Sequence, residues 1–191
     1  MFCFVILLIG LVSEIKSQVS DDGVCPRVTT QNDFDVPRLM GVWYIQAHYP
    51  DGFGVAARCN KAEYTMLPNG TVIILNTKVM SNTGQQKSSI STLDPAGRGT
   101  DGKFSITFPV GPENPPPPYW VLETDYESYA VAWSCRSLKT TKNFMKHIRY
   151  IWLMTRTHNP PANLFRRMSN VVKKFNISFE DIERVDHANC F

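Results

Sequence analysis

Residues 118–135 read PYWVLETDYESYAVAWSC. In 119–125 (YWVLETD), ahead of the short link to 128–135, Tyr119, Val121 and Glu123 alternate with Trp120 and Leu122. Beyond it, Tyr129, Val131 and Trp133 alternate with Ala130, Ala132 and Ser134. A period of two places successive side chains on opposite faces of a strand, and a link this short joins antiparallel neighbours. The same period extends both ways. Upstream it organises 41–49 (GVWYIQAHY), 60–67 (NKAEYTML), 71–80 (TVIILNTKVM), 86–93 (QKSSISTL) and 103–108 (KFSITF); downstream it organises 146–157 (KHIRYIWLMTRT). Pro68-Asn69-Gly70 supplies tight-turn chemistry between the second and third runs. Eight candidate strands in sequence order, joined by short polar links, read as a sandwich or an up-and-down barrel. After Arg156 the period changes. Leu164/Phe165, Met168, Val171/Val172 and Phe175 recur at helical spacing behind Pro160-Pro161. Arg166, Arg167, Lys173 and Lys174 stay on the wet face.

Composition bounds the possibilities. A chain of 191 residues makes one domain. Its 43% hydrophobic against 19% charged residues fills a core and excludes disorder. A net charge of +3 is too mild for a nucleic-acid binder. Residues 2–12 (FCFVILLIGLV) are an apolar run too short for a bilayer, which needs about 20 residues. With Ser17 and Ser20 close behind, the run reads as a secretory signal over 1–17, leaving 18–191 as a single domain. The expected product is secreted and extracellular, with no transmembrane segment. Beyond Cys3 in the signal, Cys25, Cys59, Cys135 and Cys190 imply two disulfides with three possible pairings. Their spacing is unlike a metal site. Asn69-Gly70-Thr71 and Asn176-Ile177-Ser178 are potential glycan acceptors.

Three motifs then carry a resemblance. Gly41-Val42-Trp43 opens the first strand behind DFDVPRLM, Thr124-Asp125-Tyr126 makes the sixth-to-seventh turn, and Arg156 closes the eighth strand. Together with Cys25-Pro26 and residues 118–135, they resemble the lipocalins. The likeness is to the branch that includes apolipoprotein D and the arthropod bilin-binding and Lazarillo-like lipocalins. It implies an eight-stranded antiparallel up-and-down barrel with one C-terminal α-helix packed outside, and the disulfides Cys25–Cys135 and Cys59–Cys190. Trp43 would plug the closed end under the Arg156 guanidinium. Gly41 would allow close approach there, and Asp125 would bond backbone donors in its turn.

Parity assigns a lumen. Trp43 brings Ile45, Ala47 and Tyr49 inward on the first strand and leaves His48 outside; Arg156 brings Ile148, Tyr150, Trp152 and Met154 inward on the last. Cys135 must face outside to meet the N-terminal segment. Tyr129, Val131 and Trp133 then make a helix-docking surface, and Ala130, Ala132 and Ser134 face the cavity. The resemblance places Asn76 inside, and with it Val72, Ile74 and Lys78; it also places Tyr64 and Phe108 on the inner wall. On the sixth strand, keeping Glu123 out of the lumen favours Trp120 and Leu122 inside. The expected ligand-binding set is therefore Tyr49, Tyr64, Ile74, Asn76, Lys78, Phe108, Tyr150 and Trp152.

The expected function is a carrier holding one small hydrophobic ligand non-covalently, with no catalytic residues, no required cofactor and no metal. The resemblance admits a bilin such as biliverdin, a fatty acid, a steroid or a retinoid. Arg136, Lys139, Lys142 and Lys146, expected in one loop with Lys78 nearby, would make the mouth positive and favour a carboxylate. Two rival readings stand beside it. One is an extracellular interaction module that uses this basic loop and the stiff loop 111–118 (GPENPPPP) against a cell-surface receptor. The other is a lipid antioxidant acting through Met154 or another accessible methionine.

Overall fold

The computed structural model describes residues 20–50, 56–98, 100–108, 115–140 and 144–190. The signal segment with Cys3, positions 111–114 of the proline-rich loop, and Lys142 lie outside the described residues. In chain order the elements are β1 (Ser20–Asp22), α1 (Val36–Leu39), β2 (Gly41–His48), β3 (Ala57–Met66), β4 (Val72–Met80), β5 (Gln86–Pro95), β6 (Lys103–Thr107), β7 (Pro118–Thr124), β8 (Tyr129–Lys139), β9 (Met145–Thr155), α2 (Ala162–Lys174) and β10 (Glu183–Arg184).

Strands β2 to β9 pair antiparallel in sequence order, and β9 pairs back onto β2. Of the two all-β architectures, the chain therefore takes the barrel, whose closure leaves no hydrogen-bonding edge to protect. All eight expected strands are present. The short elements α1, β1 and β10 carry too few residues to show a period. Strand β8 runs on to Lys139 and β9 begins at Met145. Arg136, Lys139 and Lys146, expected in a loop, are thus strand residues.

Two apolar clusters divide the core. One fills the barrel around Trp43, Tyr64, Ile74, Phe104, Tyr119 and Met154. The other lies outside the wall, where Met168, Val171 and Val172 of α2 pack on Tyr129, Val131, Trp133, Ile151 and Leu153. The helix-docking surface is the one that Cys135 parity predicts. The disulfides are Cys25–Cys135 and Cys59–Cys190, with Cα separations of 5.8 and 5.5 Å. They tie the N-terminal segment to β8 and the C-terminal tail to β3. Closing loops this long stabilises the fold by about 4–5 kcal/mol each in the chain-entropy account.

The described strands carry three register shifts, one of them between Arg58 and Lys61 on β3, and the other two exchange faces that parity assigns. The β2–β9 register runs from Ile45↔Met154 to Ala47↔Leu153, so Gln46 is an extra residue. Its side-chain amide donates to Thr155 Oγ1 at 3.0 Å and to the carbonyls of Thr157 and His158 at 3.3 Å, which holds the bulge in place. Beyond it the faces exchange. Ala47 and Tyr49, expected inside, belong to the cluster under α2, and His48, expected outside, shares the lumen face of Trp152. On β7 the register steps from Val121↔Ala132 to Glu123↔Val131, which makes Leu122 the extra residue. Tyr119 and Val121 therefore line the lumen, and Trp120 and Leu122 pack outside. Glu123 also turns outward, where its carboxylate accepts the Tyr129 hydroxyl. Burying Glu123 was the objection to an inward Tyr119 and Val121, and the bulge removes it.

Candidate ligand cavity

The closed end is built first from α1. Asp35 caps it by accepting the Arg38 N–H, and the Leu39 carbonyl accepts the Trp43 indole N–H at 2.7 Å. Trp43 is fully buried, and the Arg156 guanidinium lies 3.8 Å from its ring centroid. Arg156 also donates to the carbonyls of Tyr126, Val42 and Arg38 at 2.9–3.0 Å. One cation thus covers the plug and joins three chain segments. Gly41 has φ +93°, and a Cβ there would stand 3.3 Å from Arg156 Nη1. Both the conformation and the space demand glycine. Asp125 accepts the N–H groups of Glu127, Ser128 and Tyr129 at 2.8–3.2 Å and the Ser128 hydroxyl. Partial burial works against its charge, but these hydrogen bonds outweigh it and hold its carboxyl below the usual range. Thr124 Oγ1 bridges the same turn, donating to the Tyr129 carbonyl and accepting the Tyr126 N–H.

Above this plug, the Tyr64 and Tyr119 hydroxyls meet at 2.7 Å, and Tyr64 also reaches Met154 Sδ at 3.6 Å. With Tyr64 donating to sulfur, Tyr119 is the donor to Tyr64. Burial pushes Tyr64 up to about 12 against the lowering effect of Tyr119, and burial lifts Tyr119 well above its ordinary range. Both hydroxyls are neutral at any physiological pH. Met154 is 1% exposed at this floor, out of reach of peroxide in bulk water.

An aromatic wall climbs from the floor towards the mouth. Tyr119 and Trp152 have centroids 5.3 Å apart, and Trp152 stacks on Tyr150 at 6.0 Å with the rings 9° from parallel. Ala130 and Ala132 are buried on the neighbouring strand, and their small side chains add little bulk to the inner wall. On the opposite wall Ile74 is buried, and Asn76 Nδ2 donates to Ser91 Oγ at 3.3 Å. Lys78 continues the β4 row towards the open end, and Phe108 lies one residue beyond β6, exposed. Tyr64, Ile74, Asn76, Lys78, Tyr150 and Trp152 thus sit on strand rows of inward parity.

Tyr49 is not among them. Its ring packs edge-on to Trp133 and beneath the Arg149 guanidinium, and its hydroxyl donates to the Ser178 carbonyl. It helps fasten the C-terminal segment to the outside of the barrel. Arg149, nearly buried, pairs there with Asp21 at 2.8 Å and Asp181 at 3.1 Å. Sequence reasoning missed Tyr119 and His48 as lumen residues. The signals that could have found them are the local ones for a bulge: a polar residue facing a buried wall at Gln46 and a charge of inward parity at Glu123.

A sequence profile described as the Lipocalin / cytosolic fatty-acid binding protein family matches residues 40–189. Mouse (Mus musculus) apolipoprotein D is 30% identical over 190 residues, covering 100% of this chain and 96% of its own. The Lazarillo protein of Schistocerca americana is 27% identical, covering 86% of this chain and 75% of its own. The solved structure of insecticyanin from the tobacco hornworm Manduca sexta superposes with a TM-score of 0.74 over 91% of each chain at 24% identity, a likeness of fold. With the barrel, the Trp43–Arg156 plug and both disulfides in place, the chain belongs to the lipocalin / cytosolic fatty-acid binding protein family.

Proposed function

We propose that this protein is a secreted carrier that holds one small hydrophobic molecule, non-covalently, inside the barrel. The observation that carries the reading is the lumen itself. It is sealed at one end by Trp43 and Arg156 and walled by Tyr119, Trp152 and Tyr150, with small side chains at Ala130 and Ala132. Apolar burial drives binding in such a site, and a few polar groups set orientation. Tyr64, Ile74, Asn76, Lys78, Phe108, Tyr150 and Trp152 form the binding surface, with the tyrosine pair as its floor. A fatty acid, steroid, retinoid or bilin meets these requirements. The apolar run 2–12 directs the chain out of the cell, and Asn69 and Asn176, both exposed, accept glycans there.

The test is an absorption spectrum and mass spectrometry of an organic extract from protein purified from its natural source. A co-purified molecule is expected, tetrapyrrole if the spectrum is coloured and lipid if it is not. Trp152→Ala should lower its retention while leaving both disulfides formed. An empty protein whose tryptophan fluorescence no such molecule quenches would overturn the carrier reading.

A further inference from the structure

The positive excess of the chain is carried by one helix. Residues 157–179 contain Arg166, Arg167, Lys173 and Lys174 and no acid. These are four of the 20 Lys and Arg, and the 16 elsewhere stand against 17 Asp and Glu. All four are exposed on α2, as are Asn163 and Asn170 between them. Arg166 and Lys173, seven residues apart, share one row of the helix, and Arg167 and Lys174 share the next; each row spans about 10.5 Å. Asn170 stands four residues from both Arg166 and Lys174, where a glutamate would pair with either. Cations that served solubility alone would be interspersed with acids.

Aromatic rings, more than carboxylates, hold these cations. The Arg167 guanidinium lies 4.5 Å from the Tyr129 centroid and Lys174 Nζ 5.4 Å from that of Phe175. Arg184 of β10 stacks 3.7 Å over Phe165, beside the first turns of the helix. A ring fixes a cation without using its N–H donors. The acids stand at the rims. Asp125 comes within 4.0 Å of Arg167, its oxygens already engaged by the turn, and Glu123 accepts the Tyr129 hydroxyl. Glu180 is exposed next to Phe179, which packs on Phe165. Asp181 is taken by Arg149, and Glu183 sits opposite His48 on the other face of β10 from Arg184. Among the described residues no carboxylate lies within 4.0 Å of Arg166, Lys173, Lys174 or Arg184.

We propose that this outer face of α2, with Arg184 beside it, binds a linear sulfated polysaccharide outside the cell. Arginine offers a sulfate two N–H donors at once, and lysine offers a point charge. Two parallel rows along a straight axis suit a long polyanion better than a single small anion. A bilayer suits the face less well. A helix that enters a membrane surface needs a free apolar side. Here Met168, Val171 and Val172 are buried against the barrel, and none of the exposed large hydrophobic side chains lies on α2. The site is outside the lumen and stands whatever the lumen carries; of the carrier reading it needs only the secretion.

Heparin and unsulfated hyaluronan oligosaccharides of matched length, titrated into the disulfide-bonded full chain at several salt concentrations, test this. Heparin is expected to bind on the order of tenfold tighter than hyaluronan, and its affinity should fall as salt suppresses counterion release. Arg166→Gln/Lys173→Gln should weaken heparin binding on the order of tenfold and flatten its salt dependence, with the urea midpoint unchanged. Lys87→Gln/Lys139→Gln removes the same charge from exposed positions at the open end and should leave heparin affinity as it was. Equal losses in the two variants would reduce the binding to net charge and overturn the α2 site. Absence of heparin binding at low salt would overturn it as well, as would hyaluronan binding equally tightly. Capture by phosphatidylserine vesicles of a protein that ignores heparin would replace the polysaccharide with a membrane. None of these outcomes bears on the lumen, so the carrier reading is tested separately.

Discussion

The two ends of the barrel are built on opposite principles. At the closed end every strong group has a partner: Arg156 covers Trp43 and serves three carbonyls, and Asp125 collects three backbone donors and a hydroxyl. At the open end Lys87 and Lys146 are exposed, and apolar side chains stay in water, Phe144 at 67% exposure among them. One end converts sequence into stability. The other keeps surface in reserve for what enters. The contrast makes a sharp demand: substitutions at the plug should change folding, and substitutions at the mouth should change only binding.

The largest effect belongs to Trp43→Ala. Removing a fully buried indole from the plug should destabilise the protein by about 3–5 kcal/mol in urea unfolding. Lys87→Gln at the mouth should leave the same curve within about 0.5 kcal/mol, as for exposed positions generally. Comparable losses at both sites would break the division. Gly41→Ala comes next. A left-handed backbone and the approach of Arg156 both oppose the methyl group, so a loss of about 1–3 kcal/mol is expected.

Tyr64→Phe probes the boundary between the two ends and should cost about 1 kcal/mol, because Tyr119 loses its hydrogen-bond partner. It also carries a pH signature. Tyr64 ionises near 12 in the folded protein because burial disfavours the phenolate, against about 10 in the unfolded chain. The stability linked to this group is complete below pH ~10 and declines as pH rises from there through 12. Alkaline unfolding followed by tyrosinate absorbance should therefore begin later, and fall less steeply, in Tyr64→Phe than in the parent. Identical alkaline profiles would show that the floor is open to water.

The same contrast explains what could be read from the chain. Strand count and helix were legible because each rests on a long unbroken period; the Trp43–Arg156 plug, and the Cys25–Cys135 pairing that set the helix-docking surface, were legible through the lipocalin resemblance. Tyr49, Trp120 and Leu122 were misplaced because one inserted residue exchanges every face beyond it, and periodicity averages across such an insertion. The Gln46 bulge is held by groups distant in sequence, Thr155, Thr157 and His158, and the outward Glu123 by Tyr129 across the β7–β8 turn. Asp22 beside Lys146 depends on β1, three residues that no period can announce. The mouth was therefore readable as basic, but the pairing of Asp22 with Lys146 was not.

The smallest effect is also the one most specific to the closed end. Asp125 is held below the usual carboxylate range in the folded protein, where three N–H groups and the Ser128 hydroxyl favour its charge over the cost of partial burial. A lowered folded value means that its contribution is complete above the unfolded value of about 4 and is lost as pH falls below it. Asp125→Asn should flatten the acid limb of the stability profile in that window and alter little near neutrality beyond the turn itself. Asp22→Asn supplies the control from the mouth. That carboxylate is 91% exposed and its Lys146 partner about half so, and a solvated pair of this kind contributes little to folding. Its acid limb should overlay that of the parent. If Asp22→Asn flattened the limb and Asp125→Asn did not, the mouth would be holding the fold together and the division between the two ends would be wrong.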